Sequence, residues 1–244
     1  MGFWTALQFL TIFPTPLKQE VLSETSGQSL PYFPLVGLIL GTILFGLHYS
    51  LSLILPSAVI PVLLRGTLAI LTGAQSLDGF VDTCDGVFAV KSIKERLTIR
   101  SDTKIGTFGI VGVVLLLMLK YASLSSVSMI LPALLLMPTL SRWIMVSMIF
   151  AFPYAKSSGM GLPFKLGATW QRLMVATVIT LVVSVFLLRW WGLALMVTIG
   201  LIAFGVSSYF RSRLGGLTGD NYGAINEISE VLVLLLVILI GRLQ

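Results

Sequence analysis

The chain has 244 residues, 56% of them hydrophobic and only 11% charged, with a formal net charge of +6. A mean hydropathy of +0.98 excludes an ordinary soluble domain, in which about a quarter of residues are charged. One cysteine, Cys84, excludes an internal disulfide or a cysteine-based metal site, and one histidine, His48, supports no histidine-based triad.

Taken from the N-terminus, residues 3–13 are apolar, have no basic residue before them, and are followed by Pro14 and Pro16. That pattern is no cleavable signal; it predicts a short helix lying in the membrane interface, within an interfacial segment covering 1–30. Beyond residue 31, continuously apolar runs recur. About 20 helical residues cross roughly 30 Å of hydrocarbon, and the absence of alternation speaks against strands. Seven spans, within a range of six to eight, are predicted at about 32–54, 57–77, 106–120, 124–152, 171–188, 191–207 and 228–241. The fourth contains Pro132 and Pro138, which predict a kink or two pieces. The fold expected is therefore all-α: a polytopic membrane bundle forming one domain over 1–244. Loops 78–105, 153–170 and 208–227 then share one face.

Orientation follows from lysine and arginine. The face carrying those loops collects Lys18, Lys91, Lys94, Arg96, Arg100, Lys104, Lys156, Lys165, Arg172, Arg211 and Arg213. The opposite face receives Lys120, Arg189 and Arg242, while Arg65 and Arg142 fall inside spans. Eleven against three is a positive-inside asymmetry, placing the N-terminus and the loop face in the cytoplasm. The net positive charge thus reflects basic loops rather than nucleic-acid binding. All ten acidic residues fall on the same cytoplasmic face.

Three of those acids crowd into "LTGAQSLDGFVDTCDG" (71–86). Asp78, Asp82 and Asp85 are spaced i, i+4, i+7, which puts three carboxylates on one stripe of a helix. Bare, they would repel one another. A hard cation such as Mg²⁺, shared with substrate phosphates, reverses that penalty; a solvated acidic helix end is the alternative. In "RSDTKIGTFG" (100–109), Asp102 reads either as a helix N-cap or as a further ligand, and spacing alone does not choose. The basic residues of 91–104 suit anionic lipid or a phosphorylated substrate. "GGLTGDNYGAINEISE" (215–230) reads as a pliant glycine-rich loop able to cradle an anion, with Asn226, Glu227 and Glu230 opening the last span. Arg65 and Arg142, inside spans, are candidates for steadying the acids or binding phosphate.

These stretches together resemble the cobalamin synthase family, also called adenosylcobinamide-GDP ribazoletransferase. The aspartate segment is similar to the family pattern T-G-G-x-H-x-D-G-x-x-D-x-x-D-G. "FLTIFPTPL" (9–17), "YFPLVGLILG" (32–41), "SDTKIGTFG" (101–109) and "GGLTGDNYGAINEISEVLVLL" (215–235) resemble further family blocks in the same order. One departure stands out: Ser76 occupies the position where the family usually has histidine.

The resemblance implies a Mg²⁺-dependent transferase of the inner membrane. It would join adenosylcobinamide-GDP to α-ribazole, or to its 5′-phosphate, releasing GMP. By position it implies Asp78, Asp82 and Asp85 as metal ligands, and Asp82, Asp102, Glu227 and Glu230 as catalytic residues. Substrate contacts would come from Arg65, Thr72, Ser76, Arg142, Gly216, Thr218, Asp220 and Asn226. Expected partners are the two substrates and the lipid bilayer, with a homo-oligomer or other cobalamin-assembly enzymes as further candidates. Two rival classes are set aside on residues. CDP-alcohol phosphotransferases typically carry D-G-x-x-A-R, whereas Phe80 and Val81 lead here to Asp82 with no arginine; UbiA-like prenyltransferases are the other membrane enzymes with aspartate clusters. A transporter would need acids at mid-membrane depth.

Overall fold

The computed structural model describes residues 1–16, 25–88 and 105–243. Helix α1 covers Gly2–Leu10. An apolar helical stretch, Thr25–Ser52, follows; it passes through a 3-10 turn at Leu30–Tyr32 into α2, Phe33–Ser52. This first span therefore begins several residues before the expected 32. Pro34 lies in the first turn of α2, where a missing N–H leaves nothing unsatisfied. Then come α3 (Ile60–Leu71), α4 (Gln75–Phe88), α5 (Thr107–Ser126), α6 (Ile130–Ala151), the short α7 (Leu162–Leu166), α8 (Trp170–Leu188), α9 (Trp190–Leu214) and α10 (Gly219–Leu243). Six helices are long and apolar enough to cross a membrane, seven if α3 and α4 are one broken span. Among the described residues, extended pairing is confined to an isolated bridge between Tyr154 and Leu217.

The span expected at 57–77 is broken near its end: α3 and α4 meet at an angle of 92°. The cause is local. Gly73 and Ala74 both have positive φ, 60° and 54°, and a right-handed helix cannot run through left-handed residues. Gly73 N donates to Ile70 O (3.0 Å) and Ala74 N to Ala69 O (2.8 Å), the pair of bonds that closes a helix end. Ile12 N then donates to Leu71 O at 2.8 Å, so the N-terminal segment is fastened over this break.

The expected loop at 208–227 contracts to residues 215–218. Helix α9 runs on to Leu214 and ends in left-handed Gly215 (φ 78°), whose N–H reaches Arg211 O at 2.8 Å. Helix α10 begins with a reciprocal cap: Thr218 N donates to Asn221 Oδ1 (2.8 Å) and Asn221 N to Thr218 Oγ1 (3.4 Å). Asp220, Asn226, Glu227 and Glu230 are thus helical.

Helices α6 and α10 form the buried centre. The longest packings run α2 along α6, and α10 along both α6 and α4. Gly37 and Gly41, one turn apart on α2, meet the α6 backbone around Pro138–Thr139 and Leu134–Leu135. Small residues at i and i+4 let two helices approach closely where lipid supplies no hydrophobic drive. Pro138 lies inside α6, which remains one helix rather than two pieces.

Candidate active site at the helix break

A cavity of about 500 Å³ lies where the break, the end of α6 and the start of α10 converge. Thr72, Ser76 and Asp78 come from the break and α4; Asp220, Tyr222 and Gly223 come from the first turns of α10. Arg142, Met145 and Ile149 supply the α6 wall, and Tyr154, Lys156 and Phe164 arrive from the connection after α6. Phe9 and Leu10 of α1 close the apolar side, with the Phe9 ring tilted against Phe164, centroids 4.3 Å apart. The expected interfacial helix is therefore also a wall of the cavity.

Glycine sets how α4 meets α10. A Cβ on Gly79 would stand 2.8 Å from Asp220 O, and one on Gly223 would stand 3.1 Å from Ser76 Cα. Only at that separation do Asp78 and Asp220 border one space. Asn221 Nδ2 donates to Thr83 Oγ1 at 3.0 Å and locks the register. On the far side, Lys165 Nζ donates to Ile149 O (3.0 Å) and Phe150 O (2.8 Å), capping α6. Burial lowers the lysine's pKa from its usual value.

The three aspartates of the stripe have different fates. Asp78 is exposed and lines the cavity. Asp82 is half-buried one turn further along α4. Asp85 turns to the start of α5, accepting from Gly106 N on one oxygen and Gly109 N on the other, both at 2.8 Å. Its carboxylate caps that helix. Among the described residues no three Asp, Glu, His or Cys side chains gather into a metal cage. Asp102, with the basic run 91–104, lies outside the described residues.

Glu227 and Glu230 are placed elsewhere. They sit at the ninth and twelfth positions of α10, within the bundle rather than opening the span at its rim. Glu230, with a fully enclosed side chain, accepts from Arg65 Nη1 and Nη2 (each 3.1 Å), from Lys120 Nζ (2.9 Å) and from Arg142 Nη1. Glu227 is ion-paired to Lys120, and Asn226 Nδ2 reaches Glu230 Oε1 at 3.4 Å. Lys120 was expected on the far face; it is instead buried inside the bundle on α5. Acids at this depth are matched by cations, as buried charges require.

Of the expected substrate residues, Thr72, Ser76, Arg142 and Asp220 border the cavity. Arg65 and Asn226 belong to the buried network. Thr218 is the cap of α10, and Gly216 packs on the backbone of Pro153 and Ala155, a contact that holds the α9–α10 turn against the connection after α6. The sequence reading missed Tyr154 and Phe164 altogether and counted Lys156 only as a topological charge. The signal for Lys156 was its polar, glycine-containing surroundings, "AKSSGMG" (155–161).

Fold and cavity together define the class: a polytopic helical membrane protein with a carboxylate-bearing, partly apolar cavity at one end of its bundle. Residues 2–238 match the family described as cobalamin-5-phosphate synthase, and the chain belongs to that family. It is 37% identical over 240 residues to an adenosylcobinamide-GDP ribazoletransferase of Geotalea daltonii, covering 98% of this chain and 97% of the relative. Proteins of the same name from Desulfitobacterium hafniense (38% over 242 residues; 95% and 94% covered) and Desulforamulus reducens (36% over 237 residues; 96% and 94%) are similarly close. No solved structure matches the chain.

Proposed function

We propose that this chain joins adenosylcobinamide-GDP to α-ribazole or its 5′-phosphate, releasing GMP, in keeping with the names of its relatives. The observation that carries the reading is the convergence of Asp78, Asp220, Lys156 and the first turn of α10 on one cavity. In the reaction a ribose hydroxyl other than the 5′ one, which carries the phosphate in α-ribazole 5′-phosphate, attacks the cobinamide-side phosphorus, the bond to GMP breaks, and the hydroxyl proton passes to a base. Such transfers depend on positioning and charge neutralisation more than on covalent help from the protein. Lys156 and the N-terminal end of the α10 dipole supply positive potential for the phosphates. Asp220 is the carboxylate placed to orient the hydroxyl and take its proton. Phe9, Leu10, Met145, Ile149 and Phe164 exclude water from one side. A volume of about 500 Å³ suits one small-molecule group, so the corrin ring stays outside the mouth while the diphosphate enters.

Mg²⁺ is usually held by one or two carboxylates plus substrate phosphates. Asp78 and Asp220 are hard oxygen donors bordering one cavity, with Asp82 one turn along the helix, and this set fits such an ion. When bound, Mg²⁺ would neutralise the diphosphate and favour departure of GMP. We place the mouth on the cytoplasmic side of the inner membrane, on the strength of the eleven basic residues that the sequence assigns to that face.

The test is direct. Purified protein in detergent, given labelled adenosylcobinamide-GDP, α-ribazole and Mg²⁺, should release GMP only when all three are present. GMP release without α-ribazole, or none under any of these conditions, would overturn the assignment.

A further inference from the structure

The buried network has more positive than negative charge. Among the described residues it holds three cations (Arg65, Lys120, Arg142) and two carboxylates (Glu227, Glu230), an excess of one positive charge. Isolated charge inside a bundle is costly unless a counter-charge reaches it. The three cations are not equivalent. Lys120 is the partner of Glu227. Arg65 opens toward a different cavity, between α3 and α5. Arg142 lines the cavity at the helix break, is 2% exposed, and leaves its Nε–H without a partner. A buried guanidinium N–H with no acceptor is rare enough to require an explanation.

We propose that Arg142 is an anion subsite in the wall of the cavity. Its guanidinium, with one N–H lacking an acceptor and backed by the surplus charge of the network, binds a phosphate oxygen of the substrate or of the departing nucleotide. The chemical class is a phosphate monoester or diphosphate. Nη1 is already committed to Glu230 and to Ser141 Oγ (2.9 Å), which fixes the plane of the guanidinium before the ligand arrives. The inference rests on the proposed transfer for its choice of ligand, but the subsite can be examined without turnover.

The experiment compares wild-type protein with Arg142→Gln and Arg142→Lys in detergent, using GMP, pyrophosphate and guanosine as probes in calorimetric titrations. Removing Arg142 leaves two cations facing two carboxylates, so Arg142→Gln is expected to fold. GMP and pyrophosphate should bind wild type and lose about tenfold or more in affinity in Arg142→Gln, the loss expected for one hydrogen bond to a charged group. Arg142→Lys keeps the charge, lacks the fixed N–H, and should recover affinity only in part. Guanosine binding should be the same in all three proteins. Equal GMP affinity in wild type and Arg142→Gln would overturn the subsite. Loss of guanosine binding together with GMP binding would also overturn it, since that pattern means a collapsed cavity. Absence of α-ribazole-dependent GMP release, with the Arg142 effect on GMP binding intact, would instead sink the transfer reading and leave the subsite standing.

Discussion

Replacing Glu230 with glutamine changes almost no volume, so its consequences should be electrostatic. Oε2 accepts from Arg65 and Lys120, Oε1 accepts from Arg142, and the side chain is fully enclosed. After Glu230→Gln, Lys120 keeps Glu227, but the two guanidiniums lose their carboxylate and cannot shed their protons. Breaking a buried ion pair from one side costs about 3–5 kcal/mol. A Coulomb estimate for charge centres about 4 Å apart at an effective dielectric near 20 gives about 4 kcal/mol, which agrees. At about 2–4 °C per kcal/mol for a chain of this size, the midpoint of thermal unfolding should fall by roughly 10 °C. The assay is unfolding in detergent for wild type, Glu230→Gln, Arg142→Gln and the double variant. The cycle should show positive coupling, with Glu230→Gln costing less when Arg142 is already gone. A Glu230→Gln protein as stable as wild type but inactive would refute this reasoning and return Glu230 to a chemical role.

Other substitutions separate the acids of the stripe. Asp78→Asn should leave the midpoint of unfolding unchanged, because the side chain is exposed, while lowering GMP release by about a hundredfold or more. Asp85→Ala should do the reverse: it removes a helix cap worth about 0.5–2 kcal/mol and leaves the Mg²⁺ concentration dependence of turnover as in wild type. A shifted Mg²⁺ dependence in Asp85→Ala would restore it as a ligand. Gly79→Val should press α4 away from α10, costing about 1–3 kcal/mol and lowering kcat/KM by parting Asp78 from Asp220; circular dichroism melts and steady-state kinetics check both.

The spans were readable because each is a long unbroken apolar run, and hydrocarbon enforces helix on such a run. Arg65 and Arg142 stood out because a guanidinium within an apolar run needs an acceptor, and both meet Glu230. Lys120 did not. A lysine late in an apolar run looks like the end of a span, and only the tertiary fold brings Glu227 and Glu230 to meet it. Asp85 shares helical phase with Asp78 and Asp82, so spacing grouped it with them; the partners that claim it lie more than twenty residues away. Glycine misled in a different way. Gly219 and Gly223 suggested a loop, whereas Gly223 serves close helix packing and Gly215 is the position that needs a left-handed backbone. The break at Gly73 and Ala74 was hidden because no proline or asparagine announces it.

That break has a consequence for depth. Helix α3 has 12 residues and rises only about 18 Å, well short of the roughly 30 Å of a bilayer's oily layer. There the left-handed pair Gly73 and Ala74 hands the chain to α4 at 92°, so Asp78 is carried to the cavity by a crosswise helix rather than by the span itself.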